Sequence, residues 1–321
     1  MRILALVPGG IGDQILFFPT LSQLKQYYPQ AEIDVIVEPR AKGAYRVCQS
    51  VDEVLTFDFK DRNGLADFGN LLGVIREREY DAAMTLGRRW SVGLLLWMTG
   101  IVRRIGYKAG SRDLFFSNPV PLKTEQYAAH MYHDLLEGFG INVPCQELAV
   151  RVPKSDIEWA EAQQQQLDIP EEIGYILIHG GSSKLALSQG IDKIYPVEKW
   201  QQIVEDIRQK QPDLPIVLLK GPEDAEWCQA MMEYHRDLKV TTPQDIGKLA
   251  AMIAGANLML CTDSAPMHLA VAVGTPTIAL FGPTEAKKLL PVKEGVYGIQ
   301  SPSGRIADIK PETVLEQIWG S

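Results

Sequence analysis

Cysteine is scarce: Cys48, Cys145, Cys228 and Cys261 are the only four in 321 residues. Their spacing matches no zinc site, and so few in a chain this long do not make a disulfide framework. Free thiols in a reducing compartment are the expectation. Long apolar runs are also absent. Val92–Val102, the most apolar stretch, has eleven residues, where a membrane span needs about 20. It reads as a buried helix with charged ends, although Arg88-Arg89 and Arg103-Arg104 give its flanks a possible contact with anionic lipid. The apolar start, Met1–Val7, is too short for a signal peptide. No excess of basic charge exists either. The net charge is −8, which argues against binding nucleic acid through a broadly basic surface. There is no Asp-x-Asp motif and no 20–50-residue repeat.

What is present is alternation. Ile3–Val7, Ile33–Val37, Val54–Phe57 and Ala82–Leu86 are apolar runs of strand length, separated by helix-length stretches at Asp13–Tyr28, Gly43–Gln49 and Leu65–Glu79. The rhythm pauses between about Pro119 and Pro170, with one helix expected at Gln126–Phe139 and a polar one at Asp156–Gln166. It resumes with strands at Tyr175–Ile178, Ile216–Leu219, Leu258–Cys261 and Thr277–Leu280. Helices are expected at Val197–Lys210, Asp224–His235, Asp245–Ala254, Met267–Val273 and Pro311–Trp319. Such βαβ repetition implies parallel sheets covered on both faces. The expected architecture is therefore α/β, with two Rossmann-like domains, residues 1–153 and 154–321. Ligands of such sheets bind beyond the carboxyl ends of the strands, so a cleft between two of them is expected to hold the site.

Four motifs occupy those strand ends. Pro8-Gly9-Gly10-Ile11-Gly12-Asp13 follows the first strand and opens a helix. It fails the dinucleotide fingerprint, because Ile15 stands where G-x-G-x-x-G needs its last glycine, and Glu38 is the one acid placed to meet a ribose. Asp13 reads either as an acid that stabilises a helix N-terminus or as a general base. His179-Gly180-Gly181-Ser182-Ser183-Lys184, followed by Asp192-Lys193-Ile194-Tyr195-Pro196, reads as a phosphate-facing loop or as a solvated one. Lys220-Gly221-Pro222-Glu223-Asp224 ends a strand, and its acids suit ribose hydroxyls or helix capping. Thr262-Asp263-Ser264-Ala265-Pro266-Met267-His268-Leu269-Ala270 ends a buried strand and starts a helix. Ser264 or Asp263 fits the cap and Pro266 the first position, and free N–H groups there suit a pyrophosphate. His268 reads equally as a structural histidine or a ligand.

In this order the motifs resemble glycosyltransferase family 9, best known for lipopolysaccharide heptosyltransferases. Gly9–Asp13 with Pro19, Arg104-Ile105-Gly106-Tyr107, Gly221–Asp224, Thr262–Ala270 and Phe281-Gly282-Pro283-Thr284 carry the resemblance across nearly the whole chain. It implies a GT-B fold and an inverting transfer from a nucleotide-diphosphate sugar to a hydroxyl of an envelope glycan or glycolipid. Heptose is a candidate sugar and an ADP-sugar the favoured donor. The resemblance further implies an acceptor held by the first domain and a donor held by the second. It makes Asp13 the base, and Ser182, Ser183, Lys193, Asp224, Asp263, Ser264, Ala265, Met267 and His268 the donor contacts. Gly12, Arg88 and Arg112 are candidate acceptor contacts, with Arg40, Arg89 and His133 beside them. No metal and no cofactor are expected, and the place of action is the cytoplasm, with peripheral contact with the cytoplasmic membrane. Three departures from the family pattern stand out. The Ser183–Lys193 loop is long, which leaves Lys184 as an alternative phosphate lysine; Tyr195 replaces Trp; Ala265 replaces Gly. Two other readings stay open: a non-catalytic nucleotide-sugar-binding protein, and an epimerase on the same fold.

Overall fold

The apolar runs pair as parallel strands because they are buried on both faces. In the computed structural model, which describes residues 1–59, 64–108, 110–181 and 190–320 (the side chains of 111–113 excepted), every residue from Ile3 to Val7 is inaccessible to solvent. Two compact units divide the chain, Met1–Arg151 and Val152–Ser321.

The first unit has strands β1 (Arg2–Val7), β2 (Glu32–Val37), β3 (Glu53–Thr56), β4 (Ala82–Thr85), β5 (Arg103–Tyr107) and β6 (Asn118–Val120). All are parallel, in the order β3-β2-β1-β4-β5-β6. Its helices are α1 (Ile11–Tyr27), α2 (Leu65–Glu77), α3 (Trp90–Met98) and α4 (Ala128–His133). The stretch expected to be helical at Gly43–Gln49 is 3-10 as far as Val47, in a segment that begins at Pro39, and extended at Cys48. The one at Gln126–Phe139 is split into α4 and a 3-10 turn, Asp134–Phe139. A glycine and a β-branched valine within the first of these are weak α-helix formers.

The second unit opens on helix α5 (Lys154–Gln166), then β7 (Ile176–His179), α6 (Val197–Lys210), β8 (Ile216–Leu219), α7 (Ala225–Tyr234) and β9 (Lys239–Thr241). It continues with α8 (Ile246–Ala254), β10 (Leu258–Thr262), α9 (Ala265–Val273), β11 (Thr277–Phe281), α10 (Ala286–Leu289), β12 (Val296–Gln300) and α11 (Pro311–Trp319). Its order, β12-β11-β10-β7-β8-β9, is the first sheet's order repeated. In each sheet the order reverses between the first strand and its neighbour, β1 against β4 and β7 against β10. A crevice opens there at the carboxyl edge. Helix α6 shows why the sequence pattern sufficed for the covering layers: Trp200, Ile203, Val204 and Ile207 recur at helical spacing and are fully buried.

Strands β5, β6, β9 and β12 are short or half-polar and lie towards the sheet edges, which is why no long apolar run announced them. The Val92–Val102 helix proves to be Trp90–Met98 and is buried on one side only: Val92, Leu95 and Leu96 face the core, while Trp90 and Trp97 are more than half exposed. All four cysteines are free. Burial pushes Cys48 up to about 11, and Cys145 and Cys228 up to about 12, so these thiols stay protonated at neutral pH.

Candidate functional site

In the first unit the crevice begins at the turn between β1 and α1. Gly9 has φ +156°, and a Cβ there would sit 2.4 Å from Asp13 Oδ2, so the turn admits only glycine. The Gly10 N–H donates to Asp13 Oδ2 at 2.7 Å, which caps α1. The Tyr132 hydroxyl donates to Asp13 Oδ1 at 2.9 Å. The half-buried Asp13 carboxylate is therefore held by one hydrogen bond on each oxygen, leaving a lone-pair position on each for a substrate hydroxyl. Tyr132 is a partner the sequence did not announce, 119 residues away on α4. Burial first, then the Asp13 carboxylate, holds its phenol well above the ordinary value, so it remains a neutral donor, with Arg88 acting in the opposite direction. Buried Gln14 was also missed: its Nε2 donates to the Val7 carbonyl at 3.0 Å and its Oε1 accepts from Tyr45 at 2.8 Å, fixing α1 to the end of β1.

Of the expected acceptor residues, Gly12 is half-buried in the first turn of α1, beside Asp13. Arg88 and Arg89 follow β4 and line a pocket of about 190 Å³ with Pro8, Glu38, Phe59 and Val92. Arg89 Nη1 donates to the Phe59 carbonyl at 2.9 Å and Arg88 Nη2 lies 3.9 Å from Met131 Sδ. The Arg112 side chain lies outside the described residues. Arg40 is exposed. His133 is instead a buried structural histidine, its Nε2 2.7 Å from Gln23 Oε1 and its basicity lowered chiefly by burial. Glu38 is likewise buried and accepts from the Phe59 N–H at 3.2 Å, which occupies the acid a dinucleotide site would need.

In the second unit four loops at strand ends are joined by side chains. Lys193 Nζ lies 2.5 Å from Asp263 Oδ2, and the Thr284 hydroxyl donates to the same oxygen at 2.8 Å. Ser264, the N-cap of α9, is 3.2 Å through Oγ from His179 Nδ1 and 3.1 Å from the Thr262 carbonyl. His179 Nε2 is 3.2 Å from Asp224 Oδ2, which also accepts from the Gly221 N–H at 2.8 Å. An ionised Asp224 holds an imidazole proton on Nε2, while the single Ser264 hydroxyl proton goes to the Thr262 carbonyl, so Ser264 donates no second bond to Nδ1. Burial works to raise the Asp224 carboxyl, and the bonds from His179 and Gly221 outweigh it, so the group lies below the ordinary carboxylate value. The loops after β7, β8, β10 and β11 thus form one polar network.

This arrangement gives His179-Gly180-Gly181 a different meaning. A Cβ on Gly180 would meet the Trp227 ring at 2.5 Å, and one on Gly181 would meet Asp224 Oδ1 at 1.7 Å. These glycines make room for Trp227 and Asp224 beside the loop. Gly181→Ala is expected to cost about 1–3 kcal/mol by overpacking, read as a lower midpoint in urea unfolding with an unchanged slope. Ser182, Ser183 and Lys184 lie outside the described residues. Met267 and His268 are buried, and the Met267 N–H donates to the Ser264 carbonyl. Ala265 and Ser264 are half-buried at the helix head. Tyr195 is fully buried, with its hydroxyl on the Ile309 carbonyl, so its replacement of tryptophan is a matter of core packing. Among the described residues no three His, Cys, Asp or Glu side chains gather as metal ligands. A lysine beside a helix N-terminus can instead hold an anionic diphosphate.

Comparison with known proteins places these features. A plant protein, photosynthetic NDH subunit of subcomplex B 1 of Arabidopsis thaliana, is 26% identical over 343 aligned positions, covering 98% of this chain and 72% of that one. Lipopolysaccharide heptosyltransferase 3 of Escherichia coli is 25% identical, covering 85% of this chain and 81% of its own. The solved structure of E. coli heptosyltransferase WaaC with ADP-2-deoxy-2-fluoro heptose superposes with a TM-score of 0.77 at 18% identity, covering 100% and 99% of the two chains. Two parallel six-stranded sheets of this order make the GT-B type of α/β fold. The model of glycosyltransferase family 9 (heptosyltransferase) matches residues 70–318, well over half of the sequence, and with that fold and those strand-end motifs the chain belongs to glycosyltransferase family 9.

Proposed function

We propose that this glycosyltransferase moves a sugar, heptose being the first candidate, from an ADP-sugar to a hydroxyl of an envelope glycan or glycolipid, with inversion at the anomeric carbon. The observation that carries the reading is the pairing of Lys193 with Asp263 beside the N-terminus of α9, a cationic group set where a diphosphate would lie. The ADP-sugar bound in the WaaC structure supports this choice of donor. As the acceptor oxygen bonds to the anomeric carbon, the bond from that carbon to the diphosphate oxygen breaks. The acceptor proton passes to Asp13, and the departing negative charge falls to Lys193 and the helix N-terminus. The second unit holds the donor, through Asp224, Asp263, Ser264, Ala265 and the backbone at Met267 and His268, with Ser182 and Ser183 joining them. The first unit holds the acceptor near Gly12, Arg88 and Arg112. The protein works in the cytoplasm, with peripheral contact with the inner membrane surface, where a lipid-linked acceptor is presented.

A panel of ADP-, UDP- and GDP-sugars read by thermal shift tests the donor: an ADP-sugar should raise the melting temperature most, since a ligand bound to the native state alone stabilises it. Equal shifts from all three would remove the base preference. Because the lysine and helix dipole take the part a cation would play, turnover should survive excess EDTA. Loss of activity that magnesium or manganese restores would reverse that expectation. A second reading, a non-catalytic protein on the same fold, is favoured by one observation: the Arabidopsis relative is named as a subunit of a photosynthetic complex. Donor binding without turnover on any glycan or glycolipid acceptor would select it.

A further inference from the structure

Helix α3 has two apolar faces. Val92, Leu95 and Leu96 pack into a core cluster with Leu4, Leu6 and Ile75. On the other side Trp90 is 59% exposed, Trp97 55% and Met98 43%, with Leu94 half-buried between them. Positions 90, 94, 97 and 98 share one face of a helix. Val102, just beyond the helix, is 82% exposed. So is Leu114, in a 3-10 turn, Gly110–Phe115, that packs against α3. The approach of that turn is close: a Cβ on Gly93 would lie 3.2 Å from Phe115. Single exposed apolar side chains need no explanation, but five on one helix and its neighbouring turns do.

Basic residues gather around this face, with Asp81 and Asp113 at the two ends of the stretch. From Ala82 to Arg112 the sequence has Arg88, Arg89, Arg103, Arg104, Lys108 and Arg112 and no acid, in a chain where Asp and Glu outnumber Lys and Arg by 40 to 32. Arg104 donates to the Phe115 carbonyl, Arg103 lies over the Phe139 ring and Arg89 donates to the Phe59 carbonyl. Arg88, Arg89 and Lys108 are exposed, and with Trp90 they line a pocket of about 160 Å³. Arg89 is the N-cap residue of α3, the end where the helix dipole disfavours a cation, so helix stability does not account for it.

We propose that this face docks on a bilayer surface containing anionic phospholipid. The tryptophans, Met98, Val102 and Leu114 enter the boundary between headgroups and acyl chains while Arg88, Arg89 and Lys108 meet lipid phosphates. Tryptophan with aliphatic side chains on one face and basic residues at the ends is the pattern of a helix lying in the membrane plane. Charge complementarity selects the occupant: the basic rim of exposed Arg88, Arg89 and Lys108 fits a negatively charged surface. The proposal gives a surface to the membrane contact in the reading above and rests on it, but vesicle binding needs neither donor nor turnover, so the two fail separately.

Co-sedimentation with vesicles of phosphatidylcholine, alone or mixed with phosphatidylglycerol, tests it. The wild-type chain should bind the mixed vesicles, bind pure phosphatidylcholine weakly, and release with rising salt. The double variant Trp97→Ser/Val102→Ser should bind at least ~10-fold more weakly with its melting temperature unchanged, since both side chains face solvent. If that variant is unstable, Val102→Ser alone should still weaken binding measurably. Tyr234→Ser, which removes a side chain 63% exposed in the second unit, should bind as the wild type does. Asp13→Asn should also bind normally, which separates docking from catalysis. Absence of wild-type binding to the mixed vesicles, or undiminished binding of the double variant, overturns the proposal. So does a wild-type dimer that the double variant abolishes without any vesicle binding, which would make the face a contact between copies.

Discussion

Asp13→Asn is expected to abolish most sugar transfer while the protein stays folded and binds donor normally. Losing a general base typically costs about 10²- to 10⁴-fold in rate, or roughly 3–5 kcal/mol of barrier. The geometry makes the substitution informative. The carboxylate serves two donors, Gly10 N–H on Oδ2 and Tyr132 Oη on Oδ1. The carbonyl oxygen of asparagine can keep the Gly10 bond while its NH2 donates to the Tyr132 hydroxyl, reversing that bond, so the cost in stability should be at most about 0.5–2 kcal/mol. If capping α1 were the only task of Asp13, that small stability loss would be the whole effect. Turnover, donor affinity and melting temperature of the one variant separate the two. A folded variant with near-normal turnover would end the catalytic assignment. Tyr132→Phe provides the companion measurement: it keeps the base and its Gly10 bond but frees Oδ1, so its rate should fall less than that of Asp13→Asn.

Lys193→Ala should damage both stability and donor binding. The Asp263 side chain is only 5% exposed, and its Oδ2 is shared between Lys193 and Thr284. Removing the lysine strands a buried carboxylate, for which the cost is about 3–5 kcal/mol. Donor affinity should fall as well, because a charge-assisted phosphate contact contributes about 1.5–3 kcal/mol, roughly a 10- to 150-fold change in Kd. Adding Asp263→Asn removes the stranded charge and should restore much of the stability while donor affinity stays low. Lys184→Ala is the comparison. If it loses donor binding while Lys193→Ala retains it, the phosphate lysine is Lys184 and the Lys193–Asp263 pair is structural.

The sequence by itself determined what depends on neighbours along the chain. Alternating buried runs and amphipathic stretches established the α/β class, since a strand buried on both faces and a helix with one apolar stripe each leave a local pattern. The head of α1, with glycines before Asp13, and the cap of α9 at Ser264 were legible for the same reason: both are decided within a turn of helix. Edge strands such as β6, Asn118–Val120, left no such pattern, because an edge buries little. The tertiary structure alone decided the partners. Tyr132 reaches Asp13 across 119 positions, Lys193 reaches Asp263 across 70, and His179 joins Asp224 and Ser264 across 45 and 85. Those meetings follow from the order of parallel strands, which sets the loops after β7, β8, β10 and β11 along one sheet edge. The same assembly showed that Gly180 and Gly181 are small because Trp227 and Asp224 lie against them, and that α3 keeps an apolar face outside the core. Spacing along a chain records which face of an element is apolar. What that face meets is set by which strands pair, and pairing of distant segments leaves no mark on any one of them.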